Sequence, residues 1–148
     1  MKVLIQRAAS GSVSINGETT GRIGIGIVVL VGVRTGDTPA DALKLAQRTA
    51  SLRIFPDAEG RMNRSLADIG GEALVISQFT LYADTRKGNR PSFIRAGDPV
   101  IAGNLYNTYI AELARQPGIA HVATGQFGAS MQVELINDGP VTVELDTD

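Results

Sequence analysis

The chain opens on an alternating pattern. Val3 to Ala8 reads as a strand, and Ser12-Val13-Ser14-Ile15 sets small polar against β-branched side chains before Asn16-Gly17. Asn-Gly between two such runs signals a hairpin, because both turn positions need φ > 0, and the return strand is expected over about Glu18 to Ile23. Ile25 to Val33 is almost continuously apolar, as in a strand covered on both faces. Asp37-Thr38-Pro39 predicts a helix start, with a capping side chain followed by proline at the first helical position. Asp41 suits the positive end of that helix, and Leu43, Ala46 and Ala50 carry it to about Leu52.

The polar, turn-rich stretch from Phe55 to Asn63 predicts a loop. Ala73-Leu74-Val75-Ile76 is a short buried strand that runs into Ser77-Gln78-Phe79-Thr80-Leu81, so polar groups stand at its C-terminal end. Asp98-Pro99 opens a second helix with Ile101, Leu105, Tyr109 and Leu113 in one stripe, and Pro117-Gly118 stops it. Strands are expected over about His121 to Phe127, Met131 to Ile136 and Val141 to Leu145. Asn137-Asp138-Gly139-Pro140 connects the last two, and the C-terminal strands are expected to form a small sheet of their own. No repeat or composition shift divides the chain. Residues 1–148 therefore read as a single domain of the α+β class, a layered sandwich with two main helices on one side of the sheet.

Composition narrows the chemistry. With no cysteine there is no disulfide, no thiolate nucleophile and no cysteine-containing zinc site. The single histidine, His121, and the absence of calcium-loop spacing among the acids leave no metal site to propose. No apolar run is long enough for a membrane span, and the N-terminus turns polar too early for a signal, so a soluble cytoplasmic protein is expected. A net charge of −1 argues against a protein that coats nucleic acid through bulk charge.

Candidate chemistry is sparse. Gly21, Gly24 and Gly26 precede a strand rather than a helix, which fits a bulge or tight corner and not a dinucleotide loop. His121 has no nucleophile elbow to serve and reads as structural. Ser77 to Thr80 reads equally as a strand emerging into solvent or as a site, since polar groups at the end of an apolar strand need a partner or a ligand. Arg86 to Arg95 packs four cations, a glycine and Phe93 into ten residues and is either a solvated loop or a phosphate clasp. Asn137-Asp138-Gly139-Pro140-Val141-Thr142 reads as a turn, with a cis bond before Pro140 as its special possibility.

Taken together, Ser77-Gln78-Phe79-Thr80-Leu81 and Asn137-Asp138-Gly139-Pro140-Val141-Thr142 resemble the two signature motifs of the D-aminoacyl-tRNA deacylases. The resemblance extends over the whole chain, through Arg7 and Ser12-Val13, Arg53-Ile54-Phe55, Arg90-Pro91-Ser92-Phe93, Phe127 and Met131-Gln132-Val133. It implies a layered β/β/α, mainly antiparallel fold and a homodimer in which a cis Gly139-Pro140 enters the partner's pocket. There its carbonyls would exclude an L side chain. Ser77, Gln78, Phe79, Thr80, Gly139 and Pro140 are implied as the catalytic site, and Arg7, Met131, Lys87, Arg90, Phe93 and Asn137 as the substrate-binding residues.

The implied substrate is the 3′ aminoacyl-adenosine end of D-aminoacyl-tRNA, with glycyl-tRNA also accepted, and with no cofactor, metal, membrane or DNA partner. The implied reaction needs no side-chain nucleophile: water attacks the ester with help from the tRNA 2′-hydroxyl, and backbone N–H groups at Phe79 or Thr80 hold the oxyanion. One departure from the resemblance is Gly11, where the family more often has alanine, and where added flexibility is expected in the strand carrying Arg7.

Overall fold

The computed structural model describes all 148 residues. Asn16 and Gly17 take φ of 51° and 82°, the turn expected between β1 (Lys2–Ile15) and β2 (Glu18–Ile23). The two runs before that turn form one 14-residue strand, and β3 (Gly26–Gly32) follows. After α1 (Pro39–Ser51) come two short strands, β4 (Phe55–Pro56) and β5 (Met62–Arg64), then β6 (Glu72–Ser77), α2 (Pro99–Arg115), β7 (His121–Thr124) and β8 (Gln132–Asp146). No helix is long and apolar enough to cross a membrane.

The main sheet runs β2-β1-β3-β6-β7, with β8 on β1. It is mixed: β1 is antiparallel to β2, β3 and β8, while β3–β6 and β6–β7 are parallel. A separate C-terminal sheet does not form. Instead β8 is one strand of 15 residues that runs the length of β1, from Lys2↔Asp146 to Ser14↔Gln132. β7, shorter than expected, adds to β6 through Glu72↔His121 to Val75↔Thr124. The alternation of these segments fixes which side chains face inward, but the choice of edge is a long-range pairing that local sequence does not specify.

Residues 137–142 are consequently not a simple turn between two strands. Gln6 pairs with Thr142 and Ala8 with Asn137, so residues 138–141 stand opposite the single Arg7 as an outward bulge. Among the early glycines, a Cβ at Gly26 would collide with the Glu72 backbone, so the residue permits close approach of β3 and β6. Gly21 lies beside a register shift between Val13 and Ser14, the bulge expected there.

Alternation along the inner strands feeds two cores. Val29 and Val31 of β3 and Ala73 and Val75 of β6 pack with Val3, Ile5 and the inner faces of both helices. Val28, Leu74 and Ile76 point the other way, against Val13, Ile23, Ala123 and the partly buried Met131, Val133 and Leu135. Burial on both faces is what the apolar run of β3 predicts.

Both helices sit where expected, with corrected faces. In α1 the buried side is Ala42, Leu45, Ala46, Thr49 and Ala50, and Leu43 is exposed because it lies about 100° around the axis from Ala42. Asp37 does not cap it. Thr38 is the N-cap residue, and the Asp41 carboxylate accepts from its N–H (2.8 Å) and hydroxyl (2.7 Å). Asp37 accepts instead from the Met1 ammonium (2.6 Å) and the Arg34 N–H (2.7 Å). In α2 the stripe starts at Ala102 and continues through Leu105, Tyr106, Tyr109 and Leu113, whereas Ile101 is 56% exposed because the first turn borders a cleft rather than the sheet. The expected loop after Phe55 contains the small β4–β5 hairpin, organised by Asp57 accepting from Glu59 N–H, Arg61 N–H and Asn63 Nδ2.

Candidate active site

From Ala73 on, β6 is apolar until Ser77, where the ladder ends in one further bond, Gln78 N–H to Val31 O at 2.7 Å. The chain then winds into a 3₁₀ turn, Phe79–Tyr82, and does not continue as a strand. A turn of this kind leaves its first N–H groups, here those of Phe79 and Thr80, without partners inside it. The polar residues at the strand end are thus placed by a change of backbone geometry.

Beside that turn lies a cleft of about 600 Å³. Of the residues the sequence singles out, Ser77, Gln78, Phe79, Phe93 and Met131 line it. The rings of Phe79 and Phe93 meet edge to face, centroids 4.9 Å apart, and Phe79 remains 58% exposed at the mouth. Thr80 is not among the lining residues. Its hydroxyl oxygen accepts from Gln78 Nε2, which ties down the glutamine side chain. No carboxylate, imidazole, lysine or arginine lines the cleft, and His121 lies exposed at the start of β7.

Sequence reasoning passed over Tyr106, Gly97 and Pro99, and Phe127 as a site residue, all of which line the cleft. Tyr106 sits on the buried stripe of α2, where an aromatic at helical spacing reads as core. Its phenol, buried and donating to Val75 O at 2.8 Å, has its pKa pushed up to about 12 by that burial.

A second group of expected residues gathers on the β1–β8 ribbon, outside the cleft of its own chain. Arg7 Nη1 donates to Ile54 O (2.7 Å), and its Nε lies 3.1 Å from both the carbonyl and a carboxylate oxygen of Asp138. Asn137 Nδ2 donates to Arg7 O (2.9 Å) and Val141 O (3.1 Å), pinning both ends of the bulge. Between these anchors the Gly139-Pro140 bond is cis, and both residues are exposed.

The basic stretch is a closed loop. Asp84 and Ser92 exchange backbone hydrogen bonds of 2.8 and 2.9 Å at its base, and Gly88 turns it with φ 71°. Arg86 folds back onto Asp84, and this bonding holds the Asp84 carboxyl well below the usual range. The Arg95 guanidinium lies over the Tyr82 ring, 5.9 Å from its centroid. Lys87 and Arg90 are exposed and form no ion pair, so two of the four cations are available to a ligand.

The family model described as D-Tyr-tRNA(Tyr) deacylase matches residues 4–146. The chain belongs to that family. A D-aminoacyl-tRNA deacylase of Roseiflexus castenholzii is 58% identical over 147 residues, covering 99% of this chain and 92% of that one. One from Desulfitobacterium hafniense is 51% identical over 148 residues, covering 100% of this chain and 98% of that one. Among solved structures, the c-Myc DNA Unwinding Element Binding Protein superposes with a TM-score of 0.92 at 38% identity, covering 100% of this chain and 99% of the other. A probable eukaryotic D-amino acid tRNA deacylase superposes at 0.83 with 17% identity, covering 97% of each chain, and shares the fold. The resemblance drawn from the two motifs is borne out, and the chain is a hydrolase acting on aminoacyl-tRNA. In this deacylase the cleft offers an apolar seat, a hydroxyl and an amide at Ser77-Gln78, and backbone donors at the start of the 3₁₀ turn.

Proposed function

We propose that this deacylase is a cytoplasmic, homodimeric β/β/α sandwich that hydrolyses the ester of D-aminoacyl-tRNA to free amino acid and tRNA. The observation that carries the reading is the cleft lining: aromatic and apolar, bordered by Ser77 to Thr80, with no side chain able to act as a general base. An aminoacyl ester is already reactive. Holding it beside a water and the tRNA 2′-hydroxyl, with the Phe79 and Thr80 N–H groups facing the developing oxyanion, supplies the acceleration.

Discrimination then becomes the main task. Gly139 and Pro140 are exposed and absent from the lining of their own cleft, which supports a role in a second copy. Entering the partner's cleft, their carbonyls clash with an L side chain and leave room for hydrogen or a D side chain, so glycyl-tRNA is also a substrate. Arg7 and Asn137 hold that dipeptide out of the ladder, Met131 and Phe93 shape the receiving cleft, and Lys87 and Arg90 meet tRNA phosphates. With a net charge of −1, binding rests on such local contacts and weakens with salt. The same charge gives no support to DNA binding of the kind in the name of the c-Myc DNA Unwinding Element Binding Protein.

Incubating the purified protein with D-tyrosyl-, L-tyrosyl- and glycyl-tRNA, with and without a chelator, tests the proposal. Cleavage of the D and glycyl esters, sparing of the L ester and indifference to chelator are expected. Equal rates on D and L, or none on D, would refute it.

A further inference from the structure

The cleft opens where β3 changes partner. β6 stays beside β3 as far as Val31↔Ser77, and the Gln78 N–H closes that ladder on Val31 O. One residue later the edge belongs to another segment: Val33 O accepts from the Gly97 N–H at 3.0 Å, Arg34 and Ala96 form an antiparallel bridge, and the Thr35 N–H donates to Arg95 O at 3.2 Å. Val31 and Val33 line the cleft, as do Ser77 to Phe79 and Ala96-Gly97. Gly32 is the residue at the handover, and the 3₁₀ turn passes closely over it. A Cβ built on Gly32 would stand 3.1 Å from Leu81 Cβ, 3.2 Å from Gln78 O and 3.3 Å from Tyr82 Cδ2, so its neighbours run from the residue before the turn to its last. Carbon atoms pack best about 3.5–4.0 Å apart, so a methyl group there pushes the turn outward by roughly a few tenths of an ångström. The backbone at Gly32 lies outside the left-handed region, so the position needs the missing side chain rather than the conformational freedom of glycine.

We propose that Gly32 is a positioning residue for the reaction: having no side chain, it lets the 3₁₀ turn seat on β3, and that seat fixes the Phe79 and Thr80 N–H groups against the developing oxyanion. The oxyanion role is the one proposed above and the inference rests on it, while the seating of the turn stands on the contacts alone. Internal bonds from the Leu81 N–H to Gln78 O at 3.3 Å and from the Ala83 N–H to Thr80 O at 3.0 Å make the turn move as a unit. A push at Leu81 or at Gln78 O is therefore carried to the two donors. Their displacement weakens the transition state and not the bound ester, because the full negative charge on that oxygen develops only as the water attacks.

Gly32→Ala adds one methyl group at the handover. Gly21→Ala is the matched control: on β2, outside both groups of site residues, its Cβ would meet Thr124 O at 3.0 Å, Val13 Cγ1 at 3.2 Å and Ala123 Cβ at 3.4 Å. With D-tyrosyl-tRNA, Gly32→Ala should lower kcat about three- to tenfold with KM within about twofold, while Gly21→Ala keeps both within about twofold. In amide nitrogen–proton correlation spectra, the Phe79 and Thr80 signals should move in Gly32→Ala and stay in place in Gly21→Ala. Wild-type kcat in Gly32→Ala, an equal loss in both variants, or unmoved Phe79 and Thr80 signals would overturn the inference. So would a Gly32→Ala chain that fails to fold beside a folded Gly21→Ala, because the position would then serve packing alone. If the wild-type enzyme leaves D-tyrosyl-tRNA intact, the proposed function falls instead, and the spectra still decide whether Gly32 seats the turn.

Discussion

At Gly139 the backbone takes φ 129°, and a Cβ there would lie 2.9 Å from the Val141 nitrogen and 3.1 Å from Arg7 Nη2. Any side chain must therefore displace the bulge or the arginine that secures it. Gly139→Val is expected to abolish measurable D-ester hydrolysis while costing only about 1–3 kcal/mol of stability, because the residue is exposed and carries no core contacts. Single-turnover kinetics beside a urea titration check both halves, and full activity in the variant would remove the dipeptide from the mechanism. Gly11 is a different case. It is paired on both edges, to Ile23 and Leu135, and a Cβ would stand 2.9 Å from Val28 Cγ2, so tight packing rather than looseness is what its surroundings express. Arg7, Asn137 and Met131 were nameable from the sequence because they accompany the motifs. Tyr106 was not, because nothing in its own neighbourhood tells a core tyrosine from one that reaches across to a carbonyl 31 positions away.

The second helix supplies Tyr106 and, at its first turn, part of the cleft rim, so its start matters to the site. Asp98 accepts from the N–H groups of Val100 (2.9 Å) and Ile101 (3.3 Å), the side-chain cap that Asp-Pro predicts. Asp98→Ala should cost about 1 kcal/mol and lower the melting temperature by roughly 2–4 °C. Calorimetry decides it, and a shift of under half a degree would show that Pro99 and the core contacts hold the helix alone. The starts and lengths of both helices, and the Asp98 cap of the second, were legible in the sequence. Their faces were only partly so: a stripe of apolar residues tells which side is greasy, yet Leu43 and Ile101 show that a neighbouring element must exist to bury it.

Across the whole molecule, carboxylates anchor turns and ends. Asp41 is bonded by the Thr38 hydroxyl, Asp68 by the Ser65 N–H, and Glu112 by Arg115 and Gln47; each is held below its ordinary value, 3.8 for aspartate and 4.5 for glutamate. Their folded pKa values lie below the unfolded ones, so the stabilisation is present above about pH 4.5 and is lost as pH falls through the folded values. Asp68 is exposed and Asp41 half-buried, which keeps their contributions small, while Glu112 is buried. The melting temperature should be flat from about pH 8 to 5 and decline below about 4; a rise on acidification would contradict the bonding described.

The alternating strands, the Asn-Gly turn, the two helices and both motifs are local patterns, and local patterns are written directly into neighbouring residues. The sequence alone thus determined where the main strands and both helices lie and the residues of the two motifs, but not the β4–β5 hairpin, the 3₁₀ turn or the joining of the C-terminal runs into one strand. It did not determine that β8 lies along β1, that residues 138–141 bulge opposite Arg7, or that Tyr106 meets Gly125 at the Val75 carbonyl. Those are pairings between distant segments, chosen by which edges and faces remain to be satisfied once the strands and helices pack, and they exist only in the folded chain.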